Sequence, residues 1–532
     1  MKDYFGKRDK IISCMLFMLV LITELVFGYY FAFTKKTFPG DALSRTANAF
    51  YVIFSQPPHL GSIGFIWNPL PSLLQLPLVI FYPIFKGMVA NGYSGTIVTA
   101  IFSSLACSAI YKSYRKSGVG TFGAIIITLL FGFNPYVFIY GLNGMSEAIF
   151  FYFILCIAIS FTDWEDDPRK VNNLIKMSIF LALAFLTRYE AIPLAAAIFV
   201  SIALWAFTSQ KGSFLKRWPK FEATCTVLFT PLLYTILIWI LINWIIMGNP
   251  LYFLNSSYSN EGQSSNINDP SLINAVHNVK GVIVAVGQKI IYFLPITIGV
   301  FVLKIINKNI LKKDTIYFLI FVVSIAGLQA VMIFRGVSAS WIRYYAYVLP
   351  VGAAWYPYEI RKMTTKVKKT LATIITMIFF IFTAFSTYYV MGIKSIAHDE
   401  YLMIKPLNSS DMGSNGGISV ADINTSNYIN KNCNDGKILL DTFMTFKIVV
   451  NIDKQANVVT SSSYIFHDAI NAPAKNKIKY IVIPNPTSKN GGGNLSSLDA
   501  INKKYPNLYK NGATWCKLKV EIDNNFKIYE VN

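Results

Sequence analysis

Asp41 and Arg45 stand one helical turn apart in PGDALSRTANAF, just beyond the first long apolar run, so a helix there turns both toward one side. Glu147 opens another apolar run in NGMSEAIF, Arg188 and Glu190 lie in LTRYEAIP between two more, and Arg335 and Arg343 flank RGVSASWIRYYAY. Each has an ordinary explanation. Asp41 could cap a helix after Gly40, Glu147 could face a helix dipole, Arg188 and Glu190 could form a local ion pair, and Arg335 and Arg343 could be interfacial arginines among aromatics. Taken together they place acids and four arginines, Arg45, Arg188, Arg335 and Arg343, on one side of a bilayer. Guanidinium forks suit phosphate. A carboxylate beside them suits deprotonation of an attacking hydroxyl while the arginines stabilise a departing phosphate. Asp41 and Glu147 are therefore the candidate catalytic acids, the four arginines the candidate donor-phosphate ligands, and Glu190, His59, Trp67, Tyr189 and Tyr344 candidate substrate contacts.

That sidedness depends on the elements carrying these residues. Of 532 residues, 54% are hydrophobic and 14% charged, against roughly 25% charged in soluble domains. The composition excludes an ordinary soluble enzyme and, with 15% aromatic residues, a disordered chain. Eleven runs reach the ~20 residues that cross a hydrocarbon core. They cover approximately 11–33, 94–111, 120–139, 146–162, 173–188, 191–208, 222–246, 284–303, 315–334, 344–359 and 370–391. The stretch 68–85 is apolar too, but Pro69, Pro71, Pro77 and Pro83 would each cost a helix hydrogen bond in lipid, so it reads as interfacial or re-entrant. With the N-terminus inside, inner loops hold 22 Lys and Arg against about nine in outer loops up to residue 391. Most of the net +21 is then topological, and nucleic acid is not needed as a partner.

The expected fold class is an α-helical polytopic membrane protein, N-in/C-out, with about 11 transmembrane helices and a small C-terminal extracytoplasmic α/β domain. Residues 1–392 form the membrane domain, with a first outer loop at 34–93, and residues 393–532 the soluble domain. Strand-like runs lie at Lys437 to Asp441, Tyr480 to Pro484 and Lys517 to Ile522, with helix-like patches near Ser426 and Asp499. Cys433 and Cys516 are the only cysteines of that region, which leaves a disulfide open. Dispersed histidines and the lack of any CxxC pair argue against structural zinc, and no phosphate-binding loop, nucleophile elbow or dinucleotide fingerprint occurs.

The sequence resembles the GT-C superfamily of integral-membrane glycosyltransferases, which includes protein O-mannosyltransferases and aminoarabinose lipid A transferases. The resemblance is carried by the Asp41 loop, WNPLPSLL from Trp67, NGMSE ending at Glu147, LTRYEAIP around Arg188, NWIIMGNPLYF from Asn243 and RYYAYVLP from Arg343, over roughly residues 1–360. It implies a sugar, mannose or a similar hexose or pentose, carried on a polyprenyl phosphate. The sugar would be moved with inversion at the outer face of a cell membrane to a glycan, lipid or protein acceptor. It implies a catalytic role for Asp41 and phosphate-holding roles for Arg188 and Arg343. The acidic pair usual in the first loop is absent, since Ala42 follows Asp41. A divalent metal therefore stays open as a cofactor, no metal ligands are assigned, and direct base action by Asp41 is expected. The alternative is a transporter or flippase of lipid-linked sugars, for which Glu24, midway along the first span, is the candidate intramembrane acid.

Overall fold

The computed structural model describes residues 6–209, 213–256, 258, 259, 262, 270–405, 417–487 and 495–532. Among the described residues up to 404, all regular secondary structure is helical. In order they form α1 (Lys7–Tyr29), α2 (Gly40–Phe54), α3 (Tyr93–Lys116), α4 (Thr121–Gly132), α5 (Pro135–Leu142), α6 (Glu147–Asp166), α7 (Val171–Thr187) and α8 (Ala191–Leu204). There follow α9 (Phe214–Met247), α10 (Val279–Ile290), α11 (Leu294–Ile306), α12 (Lys313–Phe334), α13 (Val348–Arg361) and α14 (Lys366–Met391). Among the described residues eight helices are long and apolar enough to cross a membrane, or nine if the bent pair α4–α5 counts as one span. All eleven expected runs are helical, but α7 and α13 have only 17 and 14 residues.

Local chemistry explains the departures from uniform spans. The 120–139 run breaks by 64° between α4 and α5. Pro135 has no N–H to continue a helix, and the Asn134 side chain accepts from the backbone N–H groups of Tyr136 and Val137, capping a new one. The proline-rich stretch resolves into two single-turn helices, Leu70–Leu73 and Leu76–Val79, each with a proline at its start, so it does not form a continuous span. At the opposite extreme, α9 has 34 residues, roughly 50 Å, against a hydrocarbon core of about 30 Å. One end must therefore leave the hydrocarbon. Glu24 is fully buried in α1, with Oε1 accepting from the Ser103 hydroxyl at 2.7 Å and Oε2 without a partner among the described residues.

Beyond α14 comes a short helix, α15 (His398–Ile404), and then an α/β unit with α16 (Val420–Asn432) and α17 (Thr442–Val449). Its strands are β1 (Lys437–Leu440), β2 (Val458–Thr460), β3 (Ile478–Pro484), β4 (Cys516–Ile522) and β5 (Phe526–Val531), in spatial order β2-β1-β3-β5-β4. β1 lies parallel to β2 and β3, whereas β5 runs antiparallel to β3 and β4. Alternate strand residues face opposite ways. Leu439, Ile481, Ile483 and Tyr529 pack with Ile470, Ile501 and Leu508 on one face. Ile438, Leu440, Tyr480, Val482 and Ile528 pack on the other with Ile429 and Ile448. Cys433 belongs to the second cluster and Cys516 to the first, so the sheet separates them and both are free thiols rather than a disulfide.

The second cluster does not stop at the domain edge. Ala47, Phe50 and Tyr51 of α2, with Val79, Tyr82 and Val89, belong to the same continuous core. Two polar contacts reinforce the joint. The Tyr82 hydroxyl donates to the Val450 carbonyl at 3.0 Å, and Lys86 Nζ donates to the Asn451 carbonyl at 3.0 Å and meets Asp453 at 2.6 Å.

Candidate active site

The site lies where α2, the start of α6, the α7–α8 corner and the turn before α13 converge. Asp41 sits in the first turn of α2, behind Pro39. Glu147 starts α6. Arg188 ends α7 in an extended conformation and Glu190 precedes α8, so the helical reversal holds the two side by side. Arg343 comes from the tight turn Ile342–Tyr345. α15, following the last span, supplies Asp399.

Arg343 is the hub. Its Nη2 donates to Asp41 Oδ2 and its Nη1 to Asp399 Oδ2, both at 2.7 Å, and its Nε lies 3.5 Å from Glu147 Oε1. Arg188 donates through Nη1 to the same Glu147 oxygen at 2.6 Å and to the Ser146 hydroxyl at 3.1 Å. Through Nε and Nη2 it grips both oxygens of Glu190, at 3.3 and 2.7 Å. The Tyr344 ring lies against both guanidiniums, 5.5 Å from Arg188 and 5.8 Å from Arg343. Burial works against the Arg188 charge, but Glu147 and Glu190 outweigh it and hold its pKa above the ordinary value. For Glu190, burial is outweighed by Arg188 and its pKa is lowered.

Arg45 differs from the other two. It is 7% exposed, lies 4.6 Å from the Trp67 ring centroid, and neither Nε nor Nη1 has a hydrogen-bond partner among the described residues. Burial, then the neighbouring Arg188, pull its pKa down to about 10 against the opposing fields of Asp41 and Glu147. It remains charged at neutral pH, so this is a desolvated cation with two N–H groups to offer. Asp41 is the most accessible acid of the group, with 41% of its side chain exposed, whereas Glu147 is 2% exposed.

Asp41 opens onto a cleft of about 820 Å³ between the membrane domain and the C-terminal domain. Its walls include Trp67 and His59 of the first outer loop, the end of α9 from Ile245 to Met247, and the segment Ser461 to Tyr464 that follows β2. His59 stacks on Tyr464 across the domain boundary at a centroid distance of 4.3 Å. Tyr189 sits behind the cleft, its hydroxyl donating to the Ile66 carbonyl at 3.2 Å and accepting from the Trp239 indole at 3.1 Å.

Of the candidates read from sequence, the structure brings Asp41, Arg45, Glu147, Arg188, Glu190, Arg343, Trp67 and Tyr344 together. Arg335 is exposed at the end of α12 and makes no contact with this group among the described residues. Asp399 was not anticipated. Its signal was the acidic pair in AHDEY just after the last apolar run, at the same rim as the other acids. The site carboxylates meet arginines, and among the described residues no three His, Cys, Asp or Glu side chains converge as metal ligands. The donor set thus does not form a metal cage.

Residues 73–239 match the family model described as dolichyl-phosphate-mannose-protein mannosyltransferase. Over those residues, which include NGMSE and LTRYEAIP, the match bears out the resemblance to GT-C glycosyltransferases. Among curated proteins no relative is found. Among solved structures the chain is similar to the Archaeoglobus fulgidus oligosaccharyltransferase in the apo form, at 11% identity and a TM-score of 0.44, covering 88% of this chain and 69% of that one. It is also similar to the archaeal oligosaccharyltransferase AglB from Archaeoglobus fulgidus in complex with an inhibitory peptide and a dolichol-phosphate. That likeness has 12% identity and a TM-score of 0.43, over 88% of this chain and 69% of that one.

Proposed function

We propose that this GT-C-type membrane glycosyltransferase moves a hexose, mannose or a close relative, from a polyprenyl-phosphate donor to an acceptor hydroxyl, with inversion, at the outer face of the membrane. The C-terminal domain then lies outside the cell. The observation that carries the reading is the buried, unpaired guanidinium of Arg45 close to an accessible, oriented Asp41. An isolated buried cation is costly unless an anion completes it. A lipid-linked phosphodiester offers that anion, and its charge grows as the sugar leaves.

Asp41 takes the proton of the acceptor hydroxyl, and the oxygen forms a bond to the anomeric carbon from the face opposite the phosphate. The bond from that carbon to the phosphate oxygen breaks, and its electron pair leaves with the lipid phosphate. The departing group gains one negative charge and needs no general acid. Arg45 meets that charge through its free N–H groups, and Arg343 both orients Asp41 and adds to the positive field. Glu147, buried and bound to two arginines, is a positioning residue here rather than a catalytic acid.

Asp41→Asn keeps the shape and one acceptor oxygen but cannot take a proton. Transfer of radiolabelled mannose from polyprenyl-phosphate mannose by the purified chain in nanodiscs should fall by about 10²–10⁴-fold. Retention of more than a tenth of the activity would remove Asp41 from this role.

A further inference from the structure

Apart from Asp41 itself, the wall of the cleft carries chemistry that the transfer step does not use. Along α2, Asp41, Ser44, Asn48 and Tyr51 recur at intervals of three and four residues, so they form one polar stripe, and all four line the cleft. The Tyr51 side chain is 3% exposed, and its hydroxyl has no partner among the described residues. Buried polar groups are ordinarily paired, so this one marks a place for a ligand group. The C-terminal domain lines the same cleft with Ser461, Ser462 and Ser463; the Ser461 hydroxyl also bonds Thr442, and the Ser463 hydroxyl accepts from the Thr460 N–H. Trp67 and Tyr464 add aromatic rings to the lining, the latter 69% exposed although it stacks on His59.

Hydroxyl, amide and carboxylate groups spaced by a helical turn, about 5–6 Å, with flanking aromatic rings, match a ligand that carries hydroxyls around a ring with apolar C–H faces. That is a sugar. An extended peptide is instead bound chiefly through its main chain at an open sheet edge. Among the described residues lining this cleft none belongs to a strand, the backbone of α2 is satisfied within its helix, and the edge strand β2 has three residues, all buried.

We propose that the cleft is a saccharide-acceptor subsite in which the α2 stripe holds the terminal sugar of a glycan and presents one of its hydroxyls to Asp41. This rests on the glycosyltransferase reading and names the acceptor class. The sugar O–H proton passes to Asp41, its oxygen bonds to the donor's anomeric carbon, and the lipid phosphate leaves with the electrons of the broken C–O bond. The product is a glycosidic bond between two sugars.

The test uses the full chain in nanodiscs with radiolabelled polyprenyl-phosphate mannose. p-Nitrophenyl mannoside and glucoside compete as acceptors against a Ser/Thr-rich peptide. A labelled disaccharide is expected, with Asn48→Ala and Tyr51→Phe each raising the saccharide KM by about tenfold and changing kcat far less. Saturation-transfer NMR on the wild-type protein should show the p-nitrophenyl glycosides bound, independently of how either variant folds. Label on the peptide but not on the sugars, unchanged KM in both variants, or no saturation transfer would each overturn the proposal. A different failure, in which the wild type releases no mannose from the donor even to water, would strike the glycosyltransferase reading itself and the acceptor class with it.

Discussion

Replacing Arg45 should improve the stability of the empty protein while destroying its grip on the donor. The fall of the Arg45 pKa from the ordinary guanidinium value to about 10 corresponds to roughly 3 kcal/mol against the charged state, at 1.36 kcal/mol per unit. Stacking on Trp67 returns about 0.5–2 kcal/mol of that. Arg45→Met keeps an unbranched stem against the indole and removes the charge, so a net gain of about 1–3 kcal/mol is expected without ligand. For a chain of 532 residues this is roughly 1–3 °C in Tm. Donor binding moves the other way. Two lost charge-assisted hydrogen bonds, at about 1.5–3 kcal/mol each, raise the donor KM by at least about 100-fold. Thermal unfolding in nanodiscs with and without undecaprenyl phosphate reads both effects. Wild type should start lower and rise by the equivalent of about 2.7 kcal/mol at 100 times Kd, whereas Arg45→Met should start higher and barely move. A variant that melts earlier than wild type when empty, yet is still stabilised by the lipid phosphate, would refute the idea that Arg45 is held unpaired for an anion.

Glu147→Gln should act in the opposite sense on the empty protein. It leaves Arg188 and Arg343 short of one buried carboxylate, so thermal unfolding should report a loss of about 3–5 kcal/mol together with weaker donor binding. Asp399→Asn removes an anion paired with Arg343, and under the proposed function should lower the donor KM a few-fold, about 1 kcal/mol, in a transfer assay. In the C-terminal domain, burial and then the neighbouring Asp441 push the Asp499 pKa well above the usual carboxylate range. The native state therefore binds this proton more tightly than the unfolded state. Stability is unaffected below the unfolded pKa of about 3.9 and falls as pH rises from there through the folded value. Asp499→Asn can still accept from the N–H groups of Ile501 and Asn502, so it should flatten that fall and raise Tm at neutral pH.

Topology, more than any motif, made the site legible. Counting spans and loop charges placed Asp41, Glu147, Arg188, Glu190 and Arg343 at one rim, and their side chains do meet. Beyond the local Arg188–Glu190 pair, what sequence could not supply was the pairing. Arg188 and Arg343 both have acids that neutralise them, whereas Arg45 does not, and this depends on how α2, α6 and the turn at 342–345 pack across hundreds of residues. Arg335 and Arg343 look equivalent in a string, being eight residues apart in one loop, yet one is the hub of the cluster and the other is exposed. Asp399 escaped because the change of composition after residue 391 reads as the start of a separate unit. In the α/β domain, the strand-like runs at 437, 480 and 517 correspond to β1, β3 and β4. β2 is only three residues long, too short to show a period of two. The expected single span over 120–139 ignored the capping chemistry of Asn134 and Pro135.

The apolar core that α2 shares with the sheet binds the heredity of the two halves of the chain. A recombination event, or an engineer, that exchanged the C-terminal domain at the connection after α14 would leave Ala47, Phe50, Tyr51, Val79, Tyr82 and Val89 facing a stranger's surface. The helix that bears Asp41 would lose its register with it. New acceptor ranges should therefore arise by gradual substitution along the cleft, or by joint transplantation of the first outer loop with the sheet, and seldom by shuffling the domain alone.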